Sequence, residues 1–502
     1  MRGEHCGAGF QPALSPSPLY SGERVGVRGS SGISNLESEI PDRPTHTVPD
    51  ARTPSEFREG KPLTPSLTPE YRGEGVNRKI RLLHVINSLT FGGAEAMLCS
   101  LLLRHDRSRF DLSVVSLIDD LAVAGPILDA GIPVAVMGMR PGVPDPRGVA
   151  RLARHLRRVK PHVIQSWMDH SNLFTALANR CSVRAPLAWG IHHSDHIPGV
   201  AKRSTLITVA ACAKLSRRLT RKIVYCSEHS RRAYEKKGFE PLRGVVIPNG
   251  FDLSRFGPDA GARAALRCEI GVPADAPLVG LVARYDPFKD HATFFKAAAL
   301  LARKNPHVHF LLCGNRVDDD NRELALLASD PALAGRCHLL GRRGDAHRVH
   351  AALDVLASSS ISEAFPLAIG EAMACGVPCA VTDVGDSALL VGPTGKVVPP
   401  RDPAALAAAI ESLLAMPRAE REALGLAARA RVRERFALDA VTRRYEDLYE
   451  LLAGLSPASG IPGEGWGEGF DSTDVEKTLT PTLSRSTGRG GNAGPALEGI
   501  HV

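Results

Sequence analysis

Short apolar runs alternate with amphipathic stretches from about residue 80 to residue 453. IRLLHVIN (80–87) has the pattern of a buried strand and is followed by a glycine pair and the apolar helix AEAMLCSLLLRH. DLSVVSLI (111–118) and IPVAVMGM (132–139) predict two further strands. GVARLARHLRRV then sets Val149, Leu152, Leu156 and Val159 on one helical face. PHVIQSW (161–167), LAWGIHH (187–193), RKIVYCS (221–227) and GVVIPNG (244–250) continue the strand series. Strands that are apolar throughout, separated by amphipathic helices, predict a parallel sheet covered on both faces.

The pattern then restarts. PLVGLVARY (277–285), HVHFLLCGN (307–315), RCHLLGRR (336–343), DVLASSS (354–360) and PCAVTDVG (378–385) read as a second strand series with helices between. Asn-Gly and Gly-Pro punctuate the join at IPNGFDLSRFGP (247–258). The stretch from DPAALAAAIESLLAM onward is helical to LLAGL. The expected architecture is α/β, with two Rossmann-like doubly wound domains, 79–250 and 251–455, facing across a cleft. Open α/β sheets bind ligands at the carboxyl ends of their strands, which border that cleft. Residues 1–78 and 456–502 lack periodicity and repeat related phrases: LSPSPLYSGERVG at 14, LTPSLTPEYRGEGV at 63 and LTPTLSRSTGRGG at 479. Such low-complexity tails bury too little apolar area to offset ordering entropy and are expected to be disordered and without function.

Composition changes this picture in three places. No apolar run approaches ~18 residues, and the N-terminus has no apolar core of a signal peptide, so neither a spanning helix nor secretion is expected. Ten cysteines are scattered without a CxxC pair, and they read as the reduced, buried cysteines of a cytoplasmic protein. The net charge of +8 is uneven: residues 79–250 hold 26 basic and 12 acidic side chains, which leaves the remainder slightly acidic. KLSRRLTRK (214–222) concentrates five of those cations. It reads either as a solvated face or as peripheral contact with an anionic membrane. It lacks the interleaved aromatics that single-stranded nucleic acid needs, so no nucleic-acid partner is expected.

The densest chemistry lies in SEAFPLAIGEAMACGVPCAVTDVG (362–385). Glu363 and Glu371 stand eight apart; Glu371 is expected to open a helix and Glu363 to sit on the loop feeding it. The loop through Phe365, Pro366 and Leu367 offers free backbone N–H groups where a diphosphate could rest. Two carboxylates beside a phosphate suit sugar or ribose hydroxyls; the plainer reading is one capping and one solvated glutamate. Arg284 and Lys289 follow a strand on the same edge, where two cations neutralise a diphosphate leaving group or simply face solvent. Gly92 and Gly93 allow close backbone approach or make a plain strand-to-helix turn. Gly314 and Arg342 end strands on the edge expected to line a nucleotide-base pocket. HHSDH (192–196) is rich in metal-ligand types but fits no strong zinc spacing, and Asp318–Asp320 are better explained as capping and charging a helix start. No metal and no cofactor are expected. Asp169, Asn172 and Asp195 are candidate acceptor contacts.

These segments, in this order, resemble the retaining nucleotide-sugar glycosyltransferases of the GT-B fold, glycosyltransferase family four. The matching segments are HVINSLTFGGAE (84–95), VIPNGFDLSRF (246–256), ARYDPFKDHATFFKA (283–297), the Glu-x7-Glu segment and VGPTGKVVPPRDP (391–403), together spanning about residues 80–453. The resemblance implies a nucleoside-diphosphate sugar as donor substrate and a glycan or lipid-linked acceptor in polysaccharide or glycolipid synthesis. It implies that Arg284 and Lys289 hold the diphosphate, that Glu363 and Glu371 hold donor hydroxyls, and that His193 contacts the donor sugar with its carbonyl near the reacting face. It also implies metal-independent retention, in which the leaving phosphate takes the acceptor proton. The family commonly has Gly after the first glutamate; here Ala364 gives up easy access to positive φ. Two rivals share this pattern: a nucleotide-sugar epimerase, and a non-catalytic sugar-nucleotide binder, against which the intact Arg284, Lys289, Glu363 and Glu371 argue.

Overall fold

A computed structural model of the chain describes residues 79–140, 145–194 and 202–455. The expectations for both tails and for Asp195 lie outside the described residues. Within them, the alternation of apolar runs produces two parallel sheets. The first contains β1 (Ile80–Ile86), β2 (Phe110–Ser116), β3 (Val134–Val136), β4 (Val163–Trp167), β5 (Leu187–Ile191), β6 (Lys222–Tyr225) and β7 (Gly244–Val246). The second contains β8 (Leu278–Val282), β9 (His309–Cys313), β10 (Cys337–Leu339), β11 (Val355–Ser358), β12 (Cys379–Thr382) and β13 (Gly395–Val398). Both sheets belong to a single compact unit.

The strand orders are β3-β2-β1-β4-β5-β6-β7 and β10-β9-β8-β11-β12-β13. Each order reverses direction once, between β1 and β4 in the first sheet and between β8 and β11 in the second. In register, Ile86 lies opposite Trp167 and Leu356 opposite Gly280. The loops leaving these strand pairs diverge to opposite faces and open a crevice at the carboxyl edge, the usual ligand position in such sheets. Each sheet is buried on both faces, which is why its strands read as continuous apolar runs.

Three expectations need correction. β13 is missing from the expected strand series: it is four residues long and flanked by Gly-Pro and Pro-Pro, so turn chemistry masks it. The domain boundary is not a single cut after residue 250. The chain crosses back at Phe251, whose N–H and C=O pair with Phe436 and Leu438. The helix Leu438–Leu452 then packs Val441, Tyr445, Leu448 and Tyr449 into the core of the first sheet. Finally, the cysteines are not uniformly buried, since Cys181 and Cys268 are exposed. No helix among the described residues is long and apolar enough to cross a membrane.

Candidate active site

The loop leaving β8 carries Arg284 and Lys289. Its path is fixed from both sides: Ala283 and Tyr285 donate their N–H groups to the carbonyls of Cys313 and Asn315 at 2.9 Å. Gly314 makes that approach possible, because a Cβ there would lie 2.0 Å from the Ala283 carbonyl oxygen. Gly314 thus shapes the loop leaving β8 through its backbone. Asp286 accepts from Phe288 N–H at 2.9 Å and so starts the single turn Pro287–Lys289. The Arg284 guanidinium, half exposed, rests on Asp286 at 3.0 Å.

The loop leaving β11 meets it. Lys289 Nζ donates to Glu363 Oε1 at 2.5 Å, and Ser360 Oγ donates to the same oxygen at 2.7 Å. Ser359 Oγ holds the Lys289 carbonyl at 2.8 Å, and Ile361 N–H the Phe288 carbonyl at 2.8 Å. A recess between the two loops is lined by Lys289, Ser358, Ser360, Glu363, Pro366 and Leu367. Residues 74 apart in sequence therefore form one ion pair at the reversal point of the second sheet. Gly385 makes room for this loop: it has φ +59°, and a Cβ there would sit 2.1 Å from the Glu363 carbonyl oxygen. Ala364 does not take a positive φ, so the alanine in place of the family's glycine imposes no strain.

Contrary to the expectation from sequence, Glu371 does not open a helix. The helix spans Leu367–Ala374, and Pro366 precedes it without a side-chain cap. Its first free N–H groups therefore belong to Leu367, Ala368 and Ile369 near Lys289, while Glu371 projects from the middle, 3.2 Å from buried His350 Nε2. Phe365 is a core residue: it is 5% exposed and packs against Phe251 and Phe436. Any contact it makes with a ligand runs through its backbone.

Residues of the first domain reach this site from across the cleft. Gly92 and Gly93 start the helix Gly93–Arg104, and a Cβ on Gly93 would lie 3.7 Å from Leu367. Phe91 lies under the Arg342 guanidinium, 3.8 Å from ring centre to carbon. Burial pushes the Glu95 carboxyl up, opposed by its own backbone N–H and by the Arg284 charge. Ser194 and Ser362 share a hydrogen bond of 2.6 Å. The His193 carbonyl, just before Ser194, accepts from Ser230 Oγ at 2.6 Å. Neighbouring His192 stacks on Trp167 at 4.7 Å, and burial pushes its imidazole down to about 3, helped by His193 and opposed by Asn249.

Two proposed acceptor residues lie elsewhere. Asn172 is fully buried, accepts from Ser166 Oγ at 2.6 Å and donates to the Gly190 carbonyl at 3.1 Å. Asp169 is 3% exposed and accepts from Tyr234 OH at 3.2 Å. Asn172 staples the helix Asp169–Arg180 to β4 and β5, Asp169 ties it to Tyr234 of the helix Glu228–Lys236, and both are buried. Met168, which follows β4 at the reversal point of the first sheet, is at φ +76° and ψ 156°, a conformation rare outside glycine. Asp318–Asp320 do not cap a helix; Asn321 does, accepting from Glu323 and Leu324 N–H. Sequence reading missed Phe91, Glu95 and Ser194. Only Glu95 carried a local signal, three residues after the helix-capping position Gly92.

Residues 91–255 match the family model described as Glycosyltransferase Family 4, and residues 276–416 match the one described as Glycosyl transferases group 1. The chain is 26% identical over 323 residues to the putative glycosyltransferase EpsF of Bacillus subtilis, covering 60% of this chain and 79% of that one. It is 31% identical over 249 residues to a D-inositol 3-phosphate glycosyltransferase of Nocardia farcinica, covering 46% of this chain. That alignment spans about half the relative's length, 54%. The fold is shared with Anabaena HepE, solved in complex with UDP-glucose, at TM-score 0.64 and 24% identity over 75% of this chain and all of that one.

Proposed function

We propose that this chain, which belongs to glycosyltransferase family four and has the GT-B fold, transfers a sugar from a nucleoside-diphosphate donor to a hydroxyl of a glycan or lipid-linked acceptor with retention. The observation that carries this reading is the Lys289–Glu363 pair beside the open N-terminus of Leu367–Ala374, with Gly93 facing it across the cleft. A helix N-terminus and two cations, Arg284 and Lys289, form a cradle for a diphosphate. Glu363 can accept from sugar hydroxyls, and Glu371, one helical turn farther on, from the ribose. The complex of HepE with UDP-glucose supports a nucleotide sugar as the donor class.

In this reading the acceptor oxygen attacks the anomeric carbon from the face the phosphate is leaving. The bond from carbon to phosphate oxygen breaks, and that oxygen takes the acceptor proton. The products are the glycoside and the nucleoside diphosphate. Positive charge from Arg284 and Lys289 stabilises the oxygen as its charge develops, the step where such contacts count most. This chemistry asks for no metal, and activity is expected to survive EDTA. Peripheral contact with an anionic membrane, at the cytoplasmic face, is supported by the helix Arg203–Leu219. Its outer side exposes Leu206 and Ile207 beside Lys214, Arg217 and Arg218.

The test is release of nucleoside diphosphate from a panel of UDP-, GDP- and ADP-sugars. One donor class should give release that depends on Lys289; no release from any donor would overturn the reading.

A further inference from the structure

Asp386 follows β12 and Gly385 in the second domain and is 7% exposed. Its carboxylate does not serve its own domain. Oδ2 accepts from Glu228 N–H at 2.8 Å and Oδ1 from His229 N–H at 3.0 Å. These are the first two amides of the helix Glu228–Lys236, which belongs to the first domain. That helix already has a cap of its own, since Ser227 Oγ accepts from Ser230 N–H at 2.9 Å. The helix therefore forms without Asp386, and water would satisfy its first two amides if the domains parted. The contact with Asp386 exists only when the domains are together.

Both ends of this contact lead to the site. Asp386 N–H donates to the Ala364 carbonyl at 3.0 Å, next to Glu363. On the other side, Ser230 Oγ of the capped helix holds the His193 carbonyl, and Ser194 meets Ser362. A negative charge at a helix N-terminus is favoured by the helix dipole, and the favourable term is larger when partly buried. We propose that Asp386 is a positioning residue that latches the two domains together and sets the His193 and Glu363 loops in register. The inference rests on the cleft being the transfer site.

The latch can be cut from either side. Asp386→Ala removes the acceptor. Glu228→Pro removes one donor without breaking the helix, because proline is well tolerated at the first helical position and Ser227 is already extended. Glu228→Ala keeps the amide and is the reference for loss of the side chain's ion pairs with Arg231 and Arg232. Hydrogen exchange is followed in the full chain for segments 226–231 and 361–366. Asp386→Ala should speed exchange in both by roughly 10- to 100-fold, the worth of a charge-assisted hydrogen bond. Glu228→Pro should do the same in 361–366 relative to Glu228→Ala, and the double variant should add little to either single one. With whichever of UDP-, GDP- or ADP-glucose supports turnover, kcat/KM should fall by a similar factor at unchanged melting temperature. Unchanged exchange in Asp386→Ala, or turnover lost while exchange holds, would overturn the latch. So would Glu228→Pro behaving as Glu228→Ala. Turnover of no donor by the unsubstituted chain would count against the transferase reading alone, since the exchange data decide the latch independently.

Discussion

Lys289 has one negative partner in the structure and, in the proposed transfer, a second. At rest its ammonium lies on Glu363; in the proposed transfer it faces the departing phosphate. Lys289→Ala should therefore lower kcat by about 10²–10³, the usual loss for one such electrostatic contact. Glu371→Ala should mainly raise the KM for donor, because the proposed contact to ribose would be the same in ground and transition states. Steady-state kinetics on the two variants separates these roles. A Lys289 variant changed only in KM would refute the assignment. The two cations and two glutamates were singled out by their place in the family resemblance, and the structure brings Lys289 and Glu363 together. Asp386, Ser194 and Phe91 were not, since each acts through a partner more than 150 residues away. Asp169 and Asn172 misled for the opposite reason: polar residues after a strand look like site residues until their buried partners are known.

At the scale of elements, periodicity located twelve of the thirteen strands, because sheets buried on both faces leave uninterrupted apolar runs. It did not show where the last helix goes. The segment Leu438–Leu452 is plainly amphipathic, but nothing local says that its apolar face covers the first sheet. Its docking is also polar: Glu446 accepts from Asp106 N–H at 2.8 Å and faces His105 at 3.1 Å, and Arg109 pairs with Glu446 and Glu450. Tyr449 is fully buried against His84, His105 and Phe110. Tyr449→Ala should cost about 3–5 kcal/mol, as large-to-small changes of buried aromatics do. Urea unfolding would show this as a lower midpoint. A midpoint within error of the unsubstituted chain would mean that the helix is dispensable to the first domain.

For the molecule as a whole, three buried histidines tie stability to pH. Burial holds His84 well below its usual range and pushes His192 to about 3; burial, then the charge of Lys289, pushes His291 to about 4. In the unfolded chain each protonates near 6.5, so below that pH the unfolded state binds more protons than the folded one. Their contribution to stability is complete above about 6.5 and declines as pH falls toward the folded values near 3 and 4. The melting temperature should drop across that window, and His291→Asn should make the decline shallower. An equal slope in the variant would show that His291 titrates normally in the folded chain.

The central claim is that the cleft between the two sheets moves a sugar with its anomeric configuration kept. Proton NMR of the anomeric region, followed in real time with an α-linked nucleoside-diphosphate sugar and an acceptor, tests it most directly. The account predicts that the donor signal decays into an α-glycoside signal, at a rate that falls sharply in Lys289→Ala. A β-glycoside, or conversion of the donor into a second nucleotide sugar without transfer, would contradict it.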